Sequence, residues 1–442
     1  MLQRMEYRSR TNCFLTWAAG LFAAIAICGI AAAQSADSLI DKLVKKGILT
    51  EQEAKEMRAD SDRDFYNALK SKTGMPDWVT SFTWKGDLRT RLDLTRSTDE
   101  PNSNVKFERT RFNYRFRYGA LVKIKSDIEI GFRLGSGVSG QPLSLNQTFG
   151  NNADKKPLFL DMAYAKWQLV NGPVFGMNLI AGKMENPFSS KSLKLSDSIF
   201  DNNYTPEGIG AEGRFNISTN HSLAFGTGVF IVDENAASTA DARLLVYGLK
   251  LNSTWSPKWN SAFGVGGYFL QNSDAIADNN SANGFVGTGN TSSTMNHRPV
   301  VADGMISYLM DSFPMYKGAF PVALTGEYIK NPAASSQNEG ASIGVLLGKS
   351  GKKGLWDLSW RYKQIEADAV WDDISDLDYG AWNEASPRTY SGGTDIRGHV
   401  FHFQYNFTDA WILSAKYYLT ERISAARELD SHRIQIDVSW KF

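Results

Sequence analysis

Basic side chains recur on alternate positions between residues 85 and 133. Lys85, Arg89 and Arg91 come first, then Arg109, Arg111, Arg115 and Arg117, then Lys123 and Arg133. Even spacings put them on one face of a β-strand, about 6–7 Å apart where they are two residues apart. Guanidinium groups so placed form a ladder of positive charge, suited to attracting anions. Asp87, Asp93 and Glu129 share that face, so nine basic groups stand against three acidic ones in a chain whose formal net charge is only +1. Like charges directly opposed across strands destabilise a sheet, so the ladder needs counter-charges or water. Glu185, Asp197, Asp201 and Glu207, further along the chain, are the candidate counter-charges.

Bond-making chemistry finds little support. Both cysteines, Cys13 and Cys28, lie in the first 33 residues, which excludes thiol catalysis and cysteine metal sites in the remainder. The histidines are His221, His297, His399, His402 and His432. His399 and His402 are three apart, so on a strand they point to opposite faces and cannot form a facing metal pair. For a lipid-cleaving barrel, neither has an evident serine partner. Gly208-Ile-Gly210-Ala-Glu-Gly213 matches a dinucleotide fingerprint, but an alternating strand follows where a helix is required. Gly344 to Ser350 is one residue short of a phosphate loop and sits at a turn. Asp372, Asp373, Asp376 and Asp378 form either a weak calcium site or, as the simpler reading, a solvated acidic loop. No cofactor and no metal is expected.

The elements that must carry the ladder follow from period. Arg4, Arg8 and Arg10 precede an uncharged run from Cys13 to Ala33 ending in an Ala triplet, which reads as a cleaved export signal, residues 1–33. Residues 34–76 carry the helical period, with Leu39, Ile40, Leu43 and Val44 on one face and a capping box at Thr50-Glu51-Gln52-Glu53. From residue 77 the period is two. Phe82, Trp84, Leu88 and Leu92 alternate with polar residues, as do Phe112, Tyr114, Phe116 and Tyr118, and Trp356, Leu358, Trp360 and Tyr362. Sixteen strands are expected, starting near 82, 107, 127, 158, 174, 207, 222, 242, 259, 298, 319, 339, 353, 394, 409 and 430. Their lengths exceed the ~5–6 residues of soluble strands and suit the ~9–11 needed to cross a bilayer at a tilt. Short turns alternate with longer loops at 95–106, 135–157, 185–206, 271–298, 367–393 and 422–430. Asp311 to Lys317 is the main irregularity, a long turn where a short one is expected. Ala224, Gly226, Gly228, Ala262, Gly264 and Gly266 fall on the inward parity, either to make room for a folded-in loop or as a bland wall.

Composition narrows the class. A chain of 442 residues with 42% hydrophobic and 12% aromatic side chains is too apolar to be disordered, and mean hydropathy of −0.32 excludes a bundle of membrane helices. Balanced charge gives no case for nucleic acid. Only helices and closed barrels satisfy their backbone within lipid. The fold expected is all-β: a transmembrane antiparallel barrel of about 16 strands, with a short N-terminal helical periplasmic segment. Sixteen strands leave an aqueous lumen. The last strand alternates Ile434, Ile436, Val438, Trp440 and Phe442 with polar residues, which resembles the terminal strand engaged by the barrel-assembly machinery.

The chain resembles the putative porin family of Gram-negative outer membranes. Leu39 to Met57 is similar to its N-terminal helical segment, Ala181 to Phe188 (AGKMENPF) to its Asn-Pro-Phe motif, and Asp201 to Gly208 (DNNYTPEG) to its Pro-Glu-Gly motif. Glu108 to Gly119 and Gly131 to Gly137 also fit, while Lys183 stands where Arg is frequent. The resemblance implies an outer-membrane channel for passive diffusion of small hydrophilic solutes and ions, surrounded by lipid and lipopolysaccharide, and a homotrimer. It names no solute. An eyelet is expected, with the basic wall facing the third outer loop; the alternative is a solvated charged wall. A structural barrel tethering the envelope through its helices, and a barrel enzyme, are the competing functions.

Overall fold

The computed structural model describes residues 43–46, 49–57, 60, 76–99, 104–125, 127–186, 188, 193–196, 198–236, 239–276, 289–292, 294–383, 389–424 and 429–442. The expected signal, 1–33, lies outside them, as does most of the segment 34–76. The chain divides into two units, Met1–Asp77 and Trp78–Phe442. In the first, residues 51–57 form a helix. The capping box is made: Thr50 N–H donates to Glu53 Oε2 at 2.8 Å, and Glu53 N–H to Thr50 Oγ1 at 3.2 Å. No described helix is long and apolar enough to cross a membrane.

The second unit is built of strands. They are β1 (Val79–Asp99), β2 (Asn104–Ile124), β3 (Ile128–Gly135), β4 (Gln147–Thr148), β5 (Phe159–Asn171), β6 (Phe175–Lys183), β7 (Glu207–Asn216), β8 (His221–Asp233), β9 (Ala242–Thr254) and β10 (Trp259–Gln271). There follow β11 (Val300–Met310), β12 (Phe320–Lys330), β13 (Glu339–Gly348), β14 (Trp356–Ile365), β15 (Gly380–Asn383), β16 (Thr389–Gly392), β17 (Ile396–Asn406), β18 (Trp411–Arg422) and β19 (Leu429–Lys441). Each long strand pairs antiparallel with its neighbours, and β19 pairs with β1, which closes sixteen strands into a barrel. Closure leaves no open edge. β4 adds two residues to β2, and β15 with β16 forms a separate hairpin.

Every expected strand start falls within three residues of the observed one. The outward face carries the apolar set: Trp84, Phe112, Ile209 and Phe263 are all at least half exposed. Gly208 to Gly213 lies in β7, and Gly344 to Gly348 in β13, so neither is a nucleotide loop.

One expectation changes. The first outer loop, expected over 95–106, is mostly strand. β1 and β2 stay paired out to Asp99 and Asn104, and β1 stays paired with β19 to Leu429. Thr95, Arg96, Ser97 and Thr98 lack an apolar alternation because a strand that has left the bilayer needs no lipid-facing side. The irregular turn at 311–317 is an aromatic knot. Phe313 stacks on Phe320 at 4.1 Å, and Tyr316 packs edge-on against both Phe320 and Trp356. The extra residues are needed to fold Phe313 and Tyr316 back onto the neighbouring strands.

The main core lies inside the barrel against β8 to β14, and a smaller cluster of Tyr379, Ala381, Ile396 and Tyr418 sits at β17 and β18. The third outer loop, 184–206, contributes Met184, Phe188, Leu193, Leu195, Ile199 and Phe200. They pack on inward residues of β8 to β14, among them Ala224, Leu244, Val246, Tyr268 and Val301, and on Ala369, Val370, Trp371 and Ile374 of the loop after β14. Glycine on the wall makes this possible. A Cβ on Gly248 would lie 2.7 Å from both Leu195 and Phe188, and one on Gly264 would lie 2.4 Å from Leu195. Of the expected small wall residues, Gly264 and Gly266 underlie Leu195 and Ala224 joins the core; Gly248 completes the bed.

Candidate functional site

The opposite side of the lumen is charged and open. A cavity of about 820 Å3 is lined by side chains of β1, β2, β3, β17, β18 and β19, together with residues 201–203 and Asp376 and Asp378. The antiparallel register sets who faces whom. Asp87 lies opposite Arg117, Asp93 opposite Arg111, and Arg91 opposite Asn113 on β2 and Asp437 on β19. Arg89 lies opposite Arg115.

Most rungs are neutralised by carboxylates. Arg91, almost wholly buried, donates through Nε and Nη2 to the two oxygens of Asp437 at 2.7 and 2.9 Å, and through Nη1 to Asp378 at 3.2 Å. Arg433 donates to both oxygens of Asp93 at 2.9 and 2.8 Å, and Arg111 to Asp93 at 2.7 Å. Arg115 and Arg117 share Asp87 at 2.9 and 2.6 Å. Arg133 pairs with Asp161 of β5 and approaches Glu185 at 3.5 Å. Bidentate geometry makes such pairs directional as well as strong.

Of the basic residues singled out from sequence, Lys85, Arg89, Arg91, Arg115, Arg117 and Arg133 line this cavity. Arg111 is held on Asp93 above it, and Arg109 is exposed further up β2. Of the acidic residues, Glu185 and Asp201 line it. Glu207 does not. It pairs with Lys183 at 2.8 Å and borders a second cavity of about 560 Å3. Asp197 lies outside the described residues.

Two loops complete the wall. Asp201 N–H donates to the Ile374 carbonyl at 2.7 Å, joining the third outer loop to the loop after β14. Burial, then the neighbouring Asp376 carboxylate, push Asp201 up to about 7, against the hydrogen bonds from Asn203. Burial opposes ionisation of Asp378 too, but Arg91 and Arg433 outweigh it and hold that carboxyl well below the usual range. The acidic loop is only partly solvated: Asp372 is buried and accepts N–H bonds from Gly289 and Asn290 at 3.0 and 3.1 Å, whereas Asp376 and Asp378 are about a third exposed. Among the described residues no group of three His, Cys, Asp or Glu side chains is placed to hold a metal.

The family described as "Putative porin" matches residues 92–305 and 323–442. The chain belongs to this porin family. It is an outer-membrane channel of the Gram-negative type, for passive diffusion of small hydrophilic solutes. One solved porin shares the fold, and others are similar to it more loosely. The high-pH structure of Pseudomonas putida OprB is 10% identical, with 82% of this chain and 94% of that chain covered and a TM-score of 0.52. A mutant of Rh. blastica porin is 8% identical over 82% of this chain and 100% of that one, TM-score 0.44. A loop L8 deletion mutant of Vibrio cholerae OmpT is 11% identical over 83% and 100%, TM-score 0.42. A search of curated proteins returns no significant match.

In this porin, sequence reasoning missed Asp161, Asp378 and Asp437 as the main counter-charges. Asp437 was visible in the polar alternation of β19, but its partner became apparent only once β19 met β1. One histidine expectation also changes. His402 does have a serine partner, Ser414 Oγ at 2.9 Å on the adjacent strand. The pair faces the cavity rather than lipid, and among the described residues no carboxylate hydrogen bond orients the ring. Asp378→Asn is expected to raise the permeability ratio of chloride over potassium, read from reversal potentials. It removes one negative charge from the cavity while Arg91 and Arg433 keep Asp437 and Asp93. Because Asp378 is about a third exposed, the cost to loop docking should fall below the ~3–5 kcal/mol of a fully buried broken pair.

Proposed function

We propose that the channel prefers small anions, with Lys85, Arg89, Arg91, Arg115, Arg117 and Arg133 as its basic wall and Glu185 and Asp201 on the opposing loop. One observation carries this reading. The cavity is lined by eight Lys and Arg side chains and six carboxylates, and the excess sits on β1, β2, β3 and β18. A narrow passage with low-dielectric walls concentrates such a field. Arg109 and Arg111 extend the same charge toward the outer mouth and serve as an approach path. Conduction rather than catalysis is the role this reading gives the surroundings of the His402–Ser414 pair, since among the described residues no carboxylate is hydrogen-bonded to the ring as a nucleophile's base requires. In the membrane we propose a homotrimer among lipid and lipopolysaccharide, with β19 as the segment engaged by the assembly machinery.

Reversal potentials across a bilayer under a KCl gradient test the preference. Wild-type protein should show chloride favoured over potassium. Arg111→Ala with Arg115→Ala should move the potential toward zero, most strongly at low salt where screening is weak. Cation preference in the wild type, or an unchanged potential in the double variant, sinks the reading.

A further inference from the structure

Arg89 and Arg115 are directly opposed on adjacent strands, where facing Cβ atoms are about 4.5–5.5 Å apart. Every other described charged pairing between β1 and β2 in the wall sets a cation against an anion; this one sets cation against cation. Nearby carboxylates do not make up the difference. Arg89 Nη1 is 3.7 Å from Asp437, whose two oxygens are already taken by Arg91. Its short contact, 2.5 Å, is to the neutral Asn146 Oδ1. Arg115 has one oxygen of Asp87, and Arg117 takes the other. The Nε of both Arg89 and Arg115 is buried without a hydrogen-bond partner among the described residues. Three carboxylates, Asp87, Asp437 and Asp378, thus serve four guanidinium groups at this level, and the nearest contact of Asp378 is to Arg91. Lys85 and Lys441 line the same cavity and add charge of the same sign.

A like-charged pair in this position is stable when an anion sits across it. Planar guanidinium forks match the oxygen spacing of phosphate. The cavity as a whole, lined by eight basic and six acidic side chains, keeps a surplus of two positive charges, which favours a dianion over chloride. We propose that Arg89 and Arg115 form a saturable binding site for a small dianionic oxyanion of the phosphate class, at which such solutes pause in transit. This rests on the anion-preferring reading and goes beyond it: a field alone attracts every anion in proportion to charge, whereas a site saturates.

The experiment uses the full chain in planar bilayers bathed in KCl at pH 8, with inorganic phosphate added. Chloride current should fall hyperbolically with phosphate concentration. In Arg89→Gln the half-blocking concentration should rise about ten- to a hundredfold, the loss of one charge-assisted contact. Arg89→Lys, which keeps the charge but not the fork, should show a smaller rise. A current that declines without saturating, or an equal half-blocking concentration in either variant, overturns the proposal. If Arg89→Gln yields no channels, the Arg89→Lys comparison decides. Reversal potentials on the same channels keep the two ideas separate. Chloride preference without phosphate block removes the site and leaves the general preference. Cation preference with an Arg89-dependent block does the reverse.

Discussion

Gly248→Ile is expected to release the third outer loop from the barrel wall and give larger, noisier single-channel currents. The nearest atoms that a Cβ at this position would meet belong to loop side chains, Leu195 and Phe188, both at 2.7 Å. β9 itself should accept the change, since β-branched residues suit strands. Overpacking of this kind costs about 1–3 kcal/mol. Falling on the loop rather than the strand, that shifts the docked-to-free ratio roughly five- to a hundredfold. Polar clamps oppose release: Lys250 reaches the Lys194 carbonyl, and Ser198 reaches Glu327. Flickering between two conductance levels is therefore the expected trace. The wild-type level without added noise would mean that the loop does not set the pore's calibre.

Acidification is expected to strengthen anion preference between pH 8 and pH 6. Asp201 titrates near 7 because burial and Asp376 penalise its charge. Above that pH it is an anion in the cavity; below it the proton removes one negative charge while Asp378 stays ionised beside Arg91 and Arg433. The sign for stability follows from the same shift. A carboxyl raised above its unfolded value favours the docked loop at acid pH, and this contribution is lost as pH rises through about 7. Basic conditions should thus both weaken selectivity and loosen the loop. Asp372 is also raised to about 7 by burial and Asp373, and it lies in the loop that holds Ile374. Asp201→Asn separates the two. It should abolish the pH dependence of the reversal potential while leaving any Asp372-linked change in noise. A pH-independent potential in the wild type would rule out Asp201 as the titrating group.

The barrel was legible in the sequence because its rule is local. Alternation with period two marks each strand, and a lipid-facing side makes the register costly to slip. Ambiguity arose where the local rule is broken. Parity is ambiguous over Phe159 to Trp167 and Asn178 to Lys183, and β5 carries register shifts against β3 at Arg133/Leu134 and against β6 at Gln168/Val170. The outward extension of β1 and β2 was hidden for the opposite reason: outside the bilayer, pairing continues without the apolar signal. The basic wall could be read because the spacing of Arg89, Arg91, Arg115 and Arg117 is local. Its counter-charges could not, because Asp437 and Asp378 are brought to it by closure of the barrel and by a distant loop. Glu207 looked like part of the acidic loop, but it stands at the first position of β7, where the register puts it opposite Lys183.

Two of the strongest ion pairs in the wall, Arg91 with Asp437 and Arg433 with Asp93, join β1 to β19 across more than 300 residues of chain. They cannot exist in any partly built barrel. Contacts so distant in sequence form late, after the loop-closure entropy has been met. The side chains that shape the permeation path therefore also act as the latch of the finished cylinder. Changes at Arg91 or Asp437 should slow membrane insertion as well as alter current. Arg89 and Arg117, whose closest described contacts are to Asn146 and Asp87 rather than to β19, leave selectivity open to change without the same burden on biogenesis.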